Sequence, residues 1–138
     1  MGGNKTLIFI KRDNVKKKVL IIENDHDIRY ILEFILQEYG FETLSIPEPD
    51  SLVEIIPFHP HVILLDEFIN NQPGHRLCRK IKKVTALAAV PVIILSTAND
   101  IELIAAECEA NDYISKPFDV EEIVNKVIRI VDGQPIIL

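Results

Sequence analysis

The chain has 138 residues, 48% of them apolar, and a formal net charge of −6 from 15 Lys and Arg against 21 Asp and Glu. This size fits one domain with a single core, and the acidic balance argues against a protein that binds nucleic acid over its whole surface. The longest apolar run, residues 86–95, contains a proline and is too short for a membrane helix of roughly 20 residues. The apolar residues 7–10 are too few for a signal peptide. We therefore expect a cytoplasmic protein without membrane insertion.

Short apolar runs rich in β-branched residues predict buried strands, and one segment of mixed polarity predicts an edge strand. The buried runs are residues 19–22, 62–65, 92–95 and 113–114, and the mixed segment is 41–46. Helical patterns lie between these runs, and Asp25 or Asp27 is the candidate cap of the first. Asp119 and Glu122 form a predicted capping box for the last helix. A short helix is also predicted from residues 50 to 56.

The first helical pattern places Ile28, Ile31, Leu32 and Ile35 on one inward face. Strand followed by helix, five times over, is the signature of a parallel sheet covered on both faces, so the pattern predicts an α/β fold.

The predicted domain covers residues 18–132. Residues 1–17 are expected to form an extra strand or an arm, and 133–138 a tail. Cys78 and Cys108 lack neighbours at metal-ligand spacing, so we expect two reduced, packed thiols.

Polar residues follow four of the predicted strands, and the carboxyl ends of parallel strands meet at one edge of the sheet. These residues are Glu23, Asn24 and Asp25 after the first buried run, Asp66 after the second, Ser96 after the third and Lys116 after the last. Carboxylates gathered at one point repel each other unless a cation lies among them, and an oxygen-rich site suits Mg²⁺. An aspartate can accept a phosphoryl group, and an ammonium and a hydroxyl can hold its oxygens. The residue set therefore predicts phosphoryl acceptance.

Each of these residues alone has a simpler structural interpretation. Asp25 could cap a helix, Ser96 could be a turn hydroxyl and Lys116 could be a solvated charge. Asp66 is harder to explain in this way, because residues 67–74 read as a loop and no helix there needs a cap. The functional interpretation therefore rests on the predicted position of all these residues at one edge of the sheet.

Residues 18–131 resemble the receiver domain of two-component response regulators, including the single-domain chemotaxis regulators. The resemblance rests on the segments 19–25 and 62–66, on Gly74, Ser96 and Tyr113, and on Lys116-Pro117-Phe118. It implies a flavodoxin-like doubly wound fold, with a five-stranded parallel sheet in the order 2-1-3-4-5 and helices on both faces. It also implies a signalling protein and not an enzyme.

The resemblance further implies that Asp66 accepts a phosphoryl group from a sensor histidine kinase or a histidine phosphotransfer protein. Ser96 and Lys116 would hold the phosphoryl oxygens, and Ser96 with Tyr113 would form the switch. A stand-alone receiver would then signal to a separate, unidentified downstream protein without contacting nucleic acid. Pairing of two copies through the face of the last helices is a further expectation.

The same resemblance implies that Mg²⁺ is bound by Glu23, Asn24, Asp66 and the backbone carbonyl of Phe68. Asn24 departs from the family pattern, because an acid is usual at this position. The lost charge predicts weaker Mg²⁺ binding and slower phosphorylation.

The main alternative is a pseudo-receiver, which keeps the fold as a protein-interaction module without phosphorylation. Asn24 favours this alternative, whereas Asp66, Ser96 and Lys116 oppose it. A flavin-binding flavodoxin would need a hydroxyl-rich loop in place of residues 23–25, and a nucleotide-binding enzyme would need a phosphate-binding loop motif that the sequence lacks.

Overall fold

A parallel five-stranded sheet forms the centre of the computed structural model, which describes residues 7–8, 16–69, 72–132 and 136–137. In chain order the strands are β1 (Lys18–Ile22), β2 (Glu42–Ile46), β3 (Val62–Asp66), β4 (Val92–Ser96) and β5 (Asp112–Ser115). Their order in the sheet is β2-β1-β3-β4-β5, and every neighbouring pair is parallel. The predicted flavodoxin-like arrangement and strand order 2-1-3-4-5 are confirmed.

Four α-helices in the described part of the chain cover the two faces of the sheet. They are α1 (His26–Glu38), α2 (Gly74–Lys83), α3 (Ile101–Glu107) and α4 (Val120–Asp132). Side chains of α1 and α4 pack against one face, and those of α2 and α3 pack against the other. Because side chains alternate along a strand, Val19 and Ile21 of β1 pack in the core under α1 and α4. Leu20 and Ile22 of the same strand pack in the core under α2 and α3. Burial on both faces explains why the central strands are continuous apolar runs.

The predicted helix over residues 50–56 is wrong. The connection after β2 contains two short 3₁₀ turns instead, Leu52–Glu54 and Ile56–Phe58. Ser51 caps the first turn, and Pro57 lies within the second, where it has no N–H to continue a hydrogen-bonded series. The segment is therefore too short and too interrupted for an α-helix.

Asp25, and not Asp27, caps α1. Its Oδ1 accepts hydrogen bonds from the backbone N–H groups of Asp27 at 2.9 Å and Ile28 at 3.0 Å. The predicted inward stripe is only partly correct, because Leu32 is fully buried whereas Ile31 is 47% exposed. Gly40 follows the helix with φ of 89°, a left-handed conformation that favours glycine at this position.

Cys78 and Cys108 are buried and free, as predicted. The Cys78 thiol donates to the carbonyl of Cys108 at 3.3 Å and so joins α2 to the end of α3. At the chain ends, Leu7–Ile8 pairs antiparallel with Ile136–Ile137. The rest of the two predicted end segments, apart from residues 16 and 17, lies outside the described residues. No helix in the described ranges is long and apolar enough to cross a membrane.

Candidate functional site

A cleft of about 490 Å³ opens at the carboxyl ends of β1, β3 and β4. The predicted site residues that line it are Glu23, Asn24, Asp66, Ser96 and Lys116. Asp25, Ile28, Glu67 and Thr97 also line it. The sheet topology therefore brings together residues that are up to 93 positions apart in the chain.

The Lys116 ammonium joins the two most buried carboxylates of the cleft. Its Nζ lies 2.8 Å from Glu23 Oε1 and 3.2 Å from Asp66 Oδ1. The exposed side-chain fractions are 1% for Glu23, 10% for Asp66 and 15% for Lys116. Water screens these charges little, so the ammonium that they share stabilises both carboxylates.

The charge balance of this cluster shifts two pKa values. Burial raises the pKa of the Glu23 carboxyl, and its hydrogen bond with Asp66 raises it further, against the opposing effect of Lys116. Burial alone would lower the pKa of Lys116, but its contacts with Glu23 and Asp66 outweigh burial and raise it. Lys116 therefore stays charged at neutral pH.

Backbone and side-chain hydrogen bonds fix the turn after β1. The N–H of Asp25 donates to Glu23 Oε2 at 3.2 Å, and Arg29 Nη1 donates to the carbonyl of Glu23 at 2.9 Å. Arg29 lies on the first turns of α1, so the helix itself holds the Glu23 backbone. Arg29 is not among the predicted site residues, because its partner is a backbone oxygen that no residue pattern reveals.

The ends of β4 and β5 position the hydroxyl and the ammonium. Ser96 is 3% exposed, and its Oγ accepts a hydrogen bond from the backbone N–H of Ala98 at 2.9 Å. The backbone N–H of Lys116 donates to the carbonyl of Ser96 at 2.7 Å. The Lys116–Pro117 peptide is cis. The bond between Lys116 and Ser96 holds the ends of β4 and β5 together beside the cleft that Asp66 also lines.

Of the two remaining predicted residues, Tyr113 lies away from the cleft lining. Tyr113 is half-buried on β5 opposite Ile94 and packs against the core under α2 and α3. Phe68 follows β3 in a two-residue strand, Phe68–Ile69, that pairs antiparallel with Gln72–Pro73. The structure thus places the backbone of Phe68 two residues beyond Asp66.

The chemistry of the lining fits a hard divalent cation. The carboxylates of Glu23, Asp25, Asp66 and Glu67 line the cleft together with the single ammonium of Lys116. Over the described residues, no three His, Cys, Asp or Glu side chains form a metal site by themselves. Backbone or amide oxygens and water would have to complete the coordination, which is the way Mg²⁺ is commonly bound.

Glu23 should make stability depend on pH in the absence of metal. Its raised pKa means that the folded protein binds this proton more tightly than the unfolded chain, whose carboxyl titrates near 4.5. The free energy of unfolding should therefore fall as pH rises from 4.5 through the raised pKa, and then level off. Denaturant titrations in chelator should show this fall in the wild type and a flatter profile in Glu23→Gln. The exposed Glu102→Gln is the control, and equal slopes for wild type and Glu23→Gln would contradict the assignment.

Comparison with known proteins agrees with this architecture. The family model described as "Response regulator receiver domain" matches residues 19–128. "Probable transcriptional regulator ycf27" of Porphyridium aerugineum is 31% identical over 123 residues, which cover 85% of this chain and 50% of that protein. The chain thus spans about half the length of the curated relatives it matches.

Solved structures show the same fold. The signal receiver domain of a signal transduction histidine kinase from Syntrophus aciditrophicus superposes with a TM-score of 0.75 at 28% identity, covering 85% of this chain and 91% of that one. Chemotaxis response regulator CheY4 of Vibrio cholerae has a TM-score of 0.77 at 19% identity, with coverage of 84% and 99%. With the family model matching most of the sequence and the strand order shared, this chain belongs to the response regulator receiver domain family.

Proposed function

We propose that this chain is a phosphorylation-dependent receiver in which Asp66 is the phosphoacceptor. The observation that carries the proposal is the Asp66 carboxylate at the carboxyl end of β3, 3.2 Å from the Lys116 ammonium and in one cleft with the buried Ser96. An acceptor needs a nucleophilic oxygen, charge neutralisation and hydrogen-bond donors for the phosphoryl oxygens. This cleft supplies all three from separate strand ends.

In the proposed reaction an Asp66 oxygen attacks phosphorus and forms an O–P bond. The P–N bond to the donor histidine breaks, and the imidazole leaves, so Asp66 becomes an acyl phosphate. The Lys116 ammonium would move from its two carboxylates to a phosphoryl oxygen. Ser96 accepts from the Ala98 N–H and so keeps its own hydroxyl proton for donation to another phosphoryl oxygen.

Mg²⁺, when bound, would neutralise negative charge that builds up during transfer. The residues proposed to hold it are Glu23, Asn24, Asp66 and the backbone carbonyl of Phe68. The roles of these residues are proposals that rest on their position in the cleft and on the oxygen chemistry of the donor set.

The proposed phosphodonor is a protein, either a sensor histidine kinase or a histidine phosphotransfer protein. Exposed apolar side chains on α1 support this proposal, because Tyr30 is 65% exposed and Phe34 is 56% exposed. Helix α1 begins two residues after Asn24, so this surface adjoins the cleft. A donor helix docked on α1 could present its phosphohistidine to Asp66.

Intact mass after incubation with acetyl phosphate tests the proposal. In the presence of Mg²⁺ we expect a labile adduct of one phosphoryl group per chain, and with a chelator we expect none. The absence of an adduct in Mg²⁺, under conditions that label an ordinary receiver, would favour the pseudo-receiver alternative.

The pseudo-receiver has specific support in this cleft. Asn24 contributes no charge, and Lys116 already pairs with both buried carboxylates. If these ion pairs of Lys116 served only to stabilise the fold, the chain would act as a protein-binding module without phosphorylation. The intact Asp66, Ser96 and Lys116 favour the phosphorylated receiver.

Asn24→Asp should strengthen Mg²⁺ binding by about tenfold or more, because a full charge beside a divalent cation contributes more than about 1.4 kcal/mol even at a water-like dielectric. Isothermal titration with Mg²⁺ measures this directly. Asn125→Asp on the exposed face of α4 adds the same charge to the chain and is the matched control. Equal Mg²⁺ affinity for wild type and Asn24→Asp would remove Asn24 from the proposed metal site.

A further inference from the structure

Lys126 of α4 makes three contacts at the edge of the sheet. Its Nζ donates to the backbone carbonyl of Tyr113 at 2.6 Å and to Asp112 Oδ1 at 3.0 Å. The same ammonium lies 5.2 Å from the centroid of the Tyr113 ring, within the range of a cation–π contact. Asp112 Oδ1 also accepts the backbone N–H of Tyr113 at 2.8 Å, so one carboxylate oxygen links the lysine to the strand.

These contacts join the two faces of the sheet. Ile123 and Val127 of α4 pack in the core with Ile114, whereas the Tyr113 side chain packs in the core on the opposite face. Because β5 is an edge strand, the Lys126 side chain can reach past it from the α4 side. Lys126 therefore contacts the ring of a residue whose side chain belongs to the other face.

We propose that Lys126 is a positioning residue that holds the Tyr113 ring in place and thereby ties α4 to the switch. The part of this inference that concerns switching rests on the proposed function and on the expectation, drawn from the family resemblance, that Ser96 and Tyr113 form the switch. The part that concerns ring position rests on the contacts of Lys126 alone. Asp112 supports the lysine by fixing its ammonium beside the strand.

The register of the sheet connects this position to the cleft. Tyr113 lies opposite Ile94, and Ser115 lies opposite Ser96. Tyr113 and Ser115 are two residues apart on β5, so they point to the same side of the strand. We therefore expect a displacement of the Tyr113 ring to move β5 at Ser115, the residue directly before Lys116.

Lys126→Met removes the charge and keeps most of the apolar stem, and Lys126→Arg keeps the charge. The chain has three tyrosines, so the ring signals of Tyr113, Tyr30 and Tyr39 can be followed together by NMR on protein with ¹³C-labelled tyrosine. Tyr30 and Tyr39 are exposed and serve as internal references. Lys80→Met on the exposed side of α2 is the matched control for loss of a lysine charge.

Without any ligand, we expect Lys126→Met to shift or broaden the Tyr113 ring signals only, whereas Lys126→Arg and Lys80→Met should match the wild type. Because Lys126 holds the ring in the ligand-free protein, its loss should favour the beryllofluoride-bound state. In a titration with beryllofluoride and Mg²⁺, the half-conversion concentration, at which half of the protein has bound beryllofluoride, should fall about 2- to 5-fold in Lys126→Met, the factor expected for loss of one cation–π contact.

Unchanged Tyr113 signals in ligand-free Lys126→Met would overturn the positioning role. A half-conversion concentration that is equal to or above the wild-type value would overturn the link to switching. If wild-type Tyr113 does not respond to beryllofluoride while its ligand-free signals still change in Lys126→Met, the proposed function and the link to switching fail and the positioning role stands.

Discussion

Asp66→Asn should abolish the phosphoryl adduct completely and leave the fold at least as stable as the wild type. The amide cannot form the acyl phosphate, so acetyl phosphate and Mg²⁺ should give no gain in mass. Stability should not suffer, because Glu23 and Asp66 share the Lys116 ammonium and the hydrogen bond with Asp66 raises the pKa of Glu23. Removing one charge leaves a balanced pair between Glu23 and Lys116.

The two readouts separate a functional role of Asp66 from a structural one. Intact mass reports labelling, and denaturant unfolding at pH 7 reports stability. Asp132→Asn, an exposed position at the end of α4, is the control for loss of an aspartate charge. A marked loss of stability in Asp66→Asn would mean that the carboxylate is held there for folding, and continued labelling would place the acceptor elsewhere.

Lys116→Met should have the opposite effect on stability. It removes the ammonium that contacts both buried carboxylates, and breaking a buried ion pair in this way costs about 3 kcal/mol. The cost should shrink at acid pH, because protonation of Glu23 relieves the repulsion. Labelling by acetyl phosphate should also fall strongly, because the phosphoryl oxygens lose their ammonium partner.

A double-variant cycle measures whether Asp66 and Glu23 share the Lys116 ammonium. In the Asp66→Asn background only one buried carboxylate depends on Lys116, so Lys116→Met should cost less there than in the wild type. Denaturant unfolding of the four proteins gives the coupling, with the exposed Lys83→Met as the control for a surface lysine. Additive effects of the two substitutions would contradict the shared ion pair.

The fold and the composition of the cleft follow from the sequence for one physical reason. Parallel strands buried on both faces appear as continuous apolar runs, and their carboxyl ends meet at one edge. The residues after each run, such as Glu23, Asp66 and Ser96, are therefore neighbours in space even though they are far apart in the chain.

Other features depend on tertiary structure and escape sequence patterns. Residues 50–56 have helix-like spacing, but Pro57 and the short length leave 3₁₀ turns. Ile31 fits an apolar stripe, yet α1 buries a narrower face and leaves it 47% exposed. Arg29 and Lys126 each donate to a backbone carbonyl, a group that every residue carries, so no residue type marks these contacts in advance.

The most direct test of the central claim is to locate the phosphoryl group. Borohydride reduces an acyl phosphate to an alcohol, so a labelled aspartate becomes homoserine and can be identified by peptide mass spectrometry. After treatment with acetyl phosphate and Mg²⁺, we predict that this change occurs at Asp66 and is absent when a chelator replaces Mg²⁺. Reduction at another carboxylate, or at none under conditions that label an ordinary receiver, would contradict Asp66 as the phosphoacceptor.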